Sequence, residues 1–228
     1  MGLLKLDLHV HTIFSGDSLI KPAQLLAQAR RKGLDGFAIT DHDSMKAYRI
    51  LKEKNDEKEL IIIPGMEIET HIGEVMGLFL KEEIDVTDNS FFTVVHKIKD
   101  QGGLVVIPHP FDFLRDNHLK MSLLNDKIVD KYIDGIEIMN SRTVFSHCVK
   151  KARTYQKTHD LFETGGSDAH TIKEIGNGYT VLKGMTEPTL EQVKEALLSH
   201  HSESKGKLSS PFVHLITVMN KLKKGLYF

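Results

Sequence analysis

A single cysteine, Cys148, in 228 residues leaves no partner for an internal disulfide and no thiolate set for structural zinc or an iron–sulfur centre. It reads as a small buried hydrophobe. No run of roughly 18 apolar residues marks a membrane span. Residues Met1 to Leu8 carry Lys5 and Asp7 in place of a signal-peptide core, so a cytoplasmic protein is expected. Neither sign of charge prevails: 30 Lys and Arg stand against 31 Asp and Glu, a net charge of −1. That excludes a global basic field for nucleic acid or membrane, and any polyanion must be met locally. Repeats and low-complexity tracts are missing too. With 40% hydrophobic and 27% charged residues the chain is neither disordered nor a coiled coil, and its length suits one domain. What it has in excess is histidine, 13 residues, several beside acids.

Leu3 to His11 alternates, with Leu4, Leu6, Leu8 and Val10 on one face and Lys5, Asp7, His9 and His11 on the other. This predicts a strand with a polar working face. A helix is expected from Lys21-Pro22, with Pro22 tolerated in its first turn and Gly33 as its stop. Further strands are expected at 36–40, 60–63, 75–80, 104–107, 135–139, 162–165 and 179–182. Helices are expected at 44–54, 91–101, 122–132, 144–159 and 189–200. Such alternation predicts a parallel α/β architecture, a barrel or an open sheet. Residues 1–200 would form that domain. Residues 201–211 have linker composition, rich in Ser, Lys and Gly. Residues 212–228 read as a basic amphipathic helix packed on the domain and dispensable for its chemistry.

Five short clusters follow strand-like segments. His9-Val10-His11 sets two imidazoles on one strand face, ~6.6 Å of rise apart, which suits two ligands of one metal centre. Thr40-Asp41-His42-Asp43 ends the second strand, although Asp41 and Asp43 could equally cap a helix. In Gly65-Met66-Glu67, the carboxylate offers two oxygens and could bridge two cations. His109 lies between Pro108 and Pro110, and Asp168-Ala169-His170 repeats the i, i+2 spacing. Oxygen and nitrogen donors without thiolates favour manganese, zinc or iron. At least seven donors exceed one coordination sphere, which points to two or three ions.

These motifs, in this order over residues 6–182, resemble the PHP (polymerase and histidinol phosphatase) family. The resemblance implies a distorted (β/α)7 TIM-like barrel with a trinuclear metal site at the C-terminal ends of its strands. It also implies that His9, His11, Glu67 and Asp168 hold a first ion, and that Glu67 bridges to a second, bound also by His109. Asp17, His42 and His170 would hold a third. Where the family often has a histidine after the bridging glutamate, this chain has Glu74, with His71 as a competing ligand. Glu137 and Asn140 resemble a pair that orients ligand histidines.

The expected activity is hydrolysis of a phosphate ester by a metal-activated hydroxide, with Glu67, His109 and Asp168 acting through that water. The substrate would be a small phosphomonoester, a nucleotide or a nucleic-acid end, with no obligate protein partner. Arg142 is the expected phosphate contact, because a guanidinium matches phosphate oxygens, and Arg115 is a weaker candidate. Two rival readings are an amidohydrolase-type C–N hydrolase and a catalytically silent metal-binding domain.

Overall fold

The computed structural model describes residues 2–54, 60–115, 117–210, 212–213 and 217. In chain order the elements are β1 (Leu3–Val10), α1 (Pro22–Arg31), β2 (Gly36–Ile39), α2 (Lys46–Lys54), β3 (Ile61–Thr70), β4 (Gly73–Leu78) and α3 (Phe91–Asp100). Then follow β5 (Leu104–Ile107), α4 (Asp126–Tyr132), β6 (Gly135–Asn140), α5 (Ser146–Thr158), β7 (Phe162–Gly166), β8 (Gly178–Lys183), α6 (Leu190–Leu198) and β9 (Ser202–Gly206). Among the described residues no helix is long and apolar enough to cross a membrane.

The nine strands form one sheet in the order β7-β6-β5-β4-β3-β2-β1-β8-β9. It curls until its β7 edge meets β1 and β8, giving the TIM-like barrel that the resemblance implied. Backbone N–H groups of Asp168 and His11 donate to His9 O and Ala169 O at 2.7 and 3.1 Å. On the same seam the N–H of Gly165 donates to Thr180 Oγ1 at 2.8 Å. Gly178 is required here, since a Cβ on it would lie 2.1 Å from Gly166 O.

Pairing is parallel for β1–β2, β2–β3, β5–β6 and β6–β7. It is antiparallel around β4 and β8. The wholly parallel sheet expected from alternation therefore needs correction. Only His71 and Ile72 separate β3 from β4, too few for the dozen or more residues of a parallel crossover. Helix α4 is shorter than expected, because the Asn125 side chain caps it by accepting from Ile128 N. The expected linker is in part a strand: Ser202–Gly206 pairs with β8, and its polar composition is that of an exposed edge strand. The helix expected at 212–228 falls almost wholly outside the described residues.

One apolar cluster joins Leu4, Leu6, Leu8, Ile63, Leu104, Val106, Phe162 and Leu182 to Val193, Ala196 and Leu197 of α6. Leu4, Leu104 and Phe162 stand at or beside the starts of their strands, so α6 plugs the N-terminal end of the barrel. Two further clusters pack α1–α2 and α3–α5 on the outside. Cys148, on α5, is buried, 1% exposed. With the bottom closed by apolar packing, the C-terminal strand ends are left for polar groups.

Candidate metal centre

All nine sequence-predicted donors converge at those strand ends. They fall into four overlapping groups whose donor atoms lie within 4.8 Å of one another: His9/His11/Glu67, His9/His109/Asp168, His42/Glu67/Glu74, and His11/Asp17/His42/His170. Eight are buried, and His42 alone is appreciably open, with its side chain 29% exposed. The grouping departs from the expected one in detail, since Asp168 sits with His109 and His11 adjoins the Asp17 set. His71 is not brought in: it is exposed, and its Nδ1 accepts the Phe91 N–H at 3.1 Å at the start of α3.

Local sequence explains the placement. His9 ends β1 and His11 follows it, beside a register shift between Asp7 and Val10. His9 Nε2 and His11 Nε2 stand 3.0 Å apart, facing Glu67 at 3.4 and 3.2 Å. His109 Nε2 lies 2.9 Å from Glu67 Oε1 and 3.4 Å from Glu74 Oε2. His170 Nε2 lies 3.1 Å from Asp17 Oδ2. Left-handed backbone at His109 (φ 29°) and Asp168 (φ 52°) marks both as strained, a cost that clusters at functional sites.

Behind the donors lies a layer of orienting groups. Glu137 faces His9 Nδ1 at 3.2 Å and accepts the His109 N–H at 2.8 Å. Asn140 donates to Glu137 Oε2 and Asp168 Oδ2, at 2.9 and 3.2 Å, so the pair singled out in the sequence is in place. Asp41 does not cap α2. It accepts from Thr12 N, Thr12 Oγ1 and Ser15 Oγ, and Ser15 Oγ in turn meets His11 Nδ1 at 2.8 Å.

Arg142, the expected phosphate contact, is buried and its guanidinium is spent inside the protein. It lies 3.3 Å from Glu174 Oε1, 2.6 Å from His170 Nδ1, 3.1 Å from Val213 O and 2.6 Å from Thr217 Oγ1. Its place is that of a support for His170. Arg115 instead reaches the acids, with Nη2 2.5 Å from Asp168 Oδ2 and Nε 3.3 Å from Asp112 Oδ2. Sequence reasoning missed Glu174, which accepts the N–H groups of His170 and Thr171 at 3.2 and 2.9 Å. An acid four residues beyond His170 was its only signal.

Charge in the cluster is balanced by protons. Burial opposes the charged form of His11, yet Asp168 and Glu67 outweigh it and raise the imidazole to about 10. Burial, then Glu67, push Glu74 up to about 9. Against burial, Arg115 and His9 hold Asp168 well below the usual carboxylate range. Burial and the charges of His11 and Arg142 push His170 down to about 4. Buried Asp168 Oδ1 and His109 Nδ1 have no hydrogen-bond partner among the described residues. Acids crowded against buried imidazoles, with orphaned donor atoms, fit divalent cations.

A model of the PHP domain matches residues 7–209. The chain belongs to the PHP family. A Methanocaldococcus jannaschii protein without a characterised function is 37% identical to this PHP domain over 177 residues, covering 77% of this chain and 69% of the relative. Among solved structures, a two-domain Bacteroides vulgatus protein containing a predicted PHP-like metal-dependent phosphoesterase aligns with a TM-score of 0.76 at 19% identity. That alignment covers 96% of this chain and 70% of the other. A lesion-specific endonuclease from Pyrococcus furiosus aligns with a TM-score of 0.66 at 16% identity, over 92% of this chain and 60% of its own. Both likenesses are of fold.

Proposed function

We propose that this PHP domain is a metal-dependent phosphoesterase acting on a compact phosphorylated substrate. The observation that carries the proposal is the convergence of five histidines and four carboxylates, without a thiolate, into overlapping groups that share His9, His11, His42 and Glu67. Such a set suits two or three manganese, zinc or iron ions. Divalent ions held there supply a water acidified toward neutral pH and positive charge for phosphoryl oxygens. The chain's own residues do the rest. Glu67 presents both oxygens to imidazoles on either side, Oε1 to His109 and Oε2 to His11. Glu137 and Ser15 fix the rings of His9 and His11 from behind. Arg115, at the edge of the acids, offers a guanidinium to a phosphoryl oxygen.

The test is a panel of a phosphomonoester, a phosphodiester and an amide, offered to protein loaded in turn with manganese, zinc and iron. Phosphate-ester hydrolysis that chelator stops and Asp168→Ala lacks is the expected result. Turnover of the amide alone would move the chain to the C–N hydrolases. Full metal content with no turnover of any ester would make it a silent metal-binding domain.

A further inference from the structure

After β5 the chain makes a turn that leaves from the donor His109 and ends on Arg115. Asp112 N donates to His109 O at 3.4 Å, and Arg115 N donates to Asp112 O at 3.0 Å. Phe111, inside the turn, has left-handed backbone (φ 64°), and its O accepts from Cys148 Sγ at 3.2 Å, which ties the turn to α5. Asp112 is thereby fixed three residues before the arginine, with its side chain buried.

One oxygen of that carboxylate is engaged and the other is not. Oδ2 accepts from Arg115 Nε at 3.3 Å, whereas Oδ1 is buried with no hydrogen-bond partner among the described residues. An unmet buried oxygen costs stability, so completing a hydrogen-bond network does not account for an acid here. Its partner, Arg115, does.

Arg115 stands among acids. Burial opposes its charged form, yet Asp168, Asp112, Glu67 and Glu74, in that order, outweigh the burial and raise the guanidinium further above its usual value. Asp168, Glu67 and Glu74 are donors of the metal centre, and Asp112 belongs to none of its groups. In the metal-free chain all four acids hold the arginine. Divalent ions change that balance, because their charge is taken up by the three donor acids and repels a guanidinium beside them. Asp112 is then the counter-charge that remains. It binds Nε, while Asp168 Oδ2 meets Nη2 at 2.5 Å. An arginine anchored at Nε keeps Nη2 for a phosphoryl oxygen.

We propose that Asp112 is the positioning residue of Arg115 in the metal-loaded protein: a counter-charge outside the coordination groups that keeps the guanidinium at the rim of the donor cluster once cations occupy it. This deepens the phosphoesterase reading and rests on it for the use made of the guanidinium. The anchoring itself needs only bound metal.

Two measurements on the full-length chain test it. The first follows solvent exchange of the Arg115 Nε–H by heteronuclear NMR, assigned with Arg115→Lys, in metal-free and zinc-loaded protein. In Asp112→Asn, which keeps the volume and removes the charge, exchange should quicken about tenfold in the zinc-loaded protein. Without metal it should quicken far less, because Asp168 still holds the arginine. Equal quickening in both states makes Asp112 a support of the turn alone and overturns the proposal. So does unchanged exchange with zinc bound, or a zinc-loaded wild type whose Arg115 Nε–H already exchanges freely. Failure to take up any divalent ion overturns it together with the metal centre.

The second measurement titrates inorganic phosphate into zinc-loaded protein by calorimetry. Asp112→Asn should weaken phosphate binding about tenfold, yet cause no further loss in an Arg115→Ala background, since it acts through the arginine. An equal loss in both backgrounds overturns the proposal. A loaded wild type that binds no phosphate counts against the phosphoesterase reading instead, and the exchange measurement still decides the anchor.

Discussion

Arg115 Nη2 meets Asp168 Oδ2 at 2.5 Å, across 53 residues of sequence, and so divides the two oxygens of that carboxylate between different tasks. Oδ2 is held by Arg115 and Asn140. Oδ1 faces His11 at 3.4 Å and His9 at 3.8 Å. The oxygen turned to the imidazoles is the one free to take a cation. Arg115→Ala should therefore keep its metal, since Asn140 still steadies Asp168. Turnover should fall roughly 100-fold, the scale for losing one charge-stabilising donor. Metal analysis beside steady-state kinetics checks this. Metal loss in Arg115→Ala would make the arginine a mere prop for Asp168.

Glu74 gives the centre a pH dependence. In metal-free protein, burial and then Glu67 raise its carboxyl from 4.5 to about 9. A raised acid binds its proton more tightly in the folded state. Its contribution to stability is complete below pH 4.5 and is lost as pH rises through about 9. Cation binding needs the carboxylate, so it must expel that proton, and affinity should climb with pH up to about 9. His11, raised to about 10, adds to the release. Calorimetry in buffers of different ionisation heat counts the protons. Glu74→Gln should release about one fewer than wild type. An unchanged count would leave Glu74 outside the coordination.

The legible parts of the fold were those written in short-range pattern. The alternation of Leu4, Leu6 and Leu8 with polar residues foretold β1, and the clusters at β1, β2, β3, β5 and β7 held seven of the nine residues that converge, whereas Asp17 and Glu74 entered only through the family resemblance. Strand direction was less legible, because the two-residue β3–β4 turn lacks the Asn-Gly type of signal that marks hairpins. The polarity of Ser202–Gly206 disguised an edge strand as a linker. Roles that depend on contacts distant in sequence could not be read locally. Arg142 and Arg115 look alike in the chain. Only the packing that buries Arg142 against Glu174, and extends Arg115 toward Asp168, tells them apart.

Residues beyond 211, expected to be dispensable because they lie beyond the last motif and the linker-like stretch, touch the site through Arg142. Its Nη2 donates to Val213 O and Thr217 Oγ1 while Nη1 reaches His170. Truncation after Ser210 removes two of these partners and opens the guanidinium to water. A protein so shortened should bind metal about tenfold more weakly, at the low end of what loss of an outer ligand support costs. Competition with a chromogenic chelator measures this directly. Wild-type affinity in the truncated chain would restore the view that the segment is dispensable.

At Gly166 the backbone of β7 passes close to His9 of β1. A Cβ there would lie 2.3 Å from His9 Cβ, 2.7 Å from His9 N and 2.9 Å from Glu137 Oε1. Neither backbone nor the wedged imidazole can yield without moving the other, so Gly166→Ala should displace His9 and cost about 1–3 kcal/mol by overpacking. At this chain length each kcal/mol lowers Tm by roughly 2–4 °C. Gly33→Ala provides the contrast. Gly33 has φ 63°, and a methyl added to it would meet no described atom within 4 Å. Its cost is therefore conformational, about 1–2 kcal/mol, and remote from the centre. Thermal melts should fall for both variants, whereas metal affinity should fall for Gly166→Ala alone. If Gly166→Ala melts early but binds metal as well as the wild type, the position of His9 is not what sets the affinity.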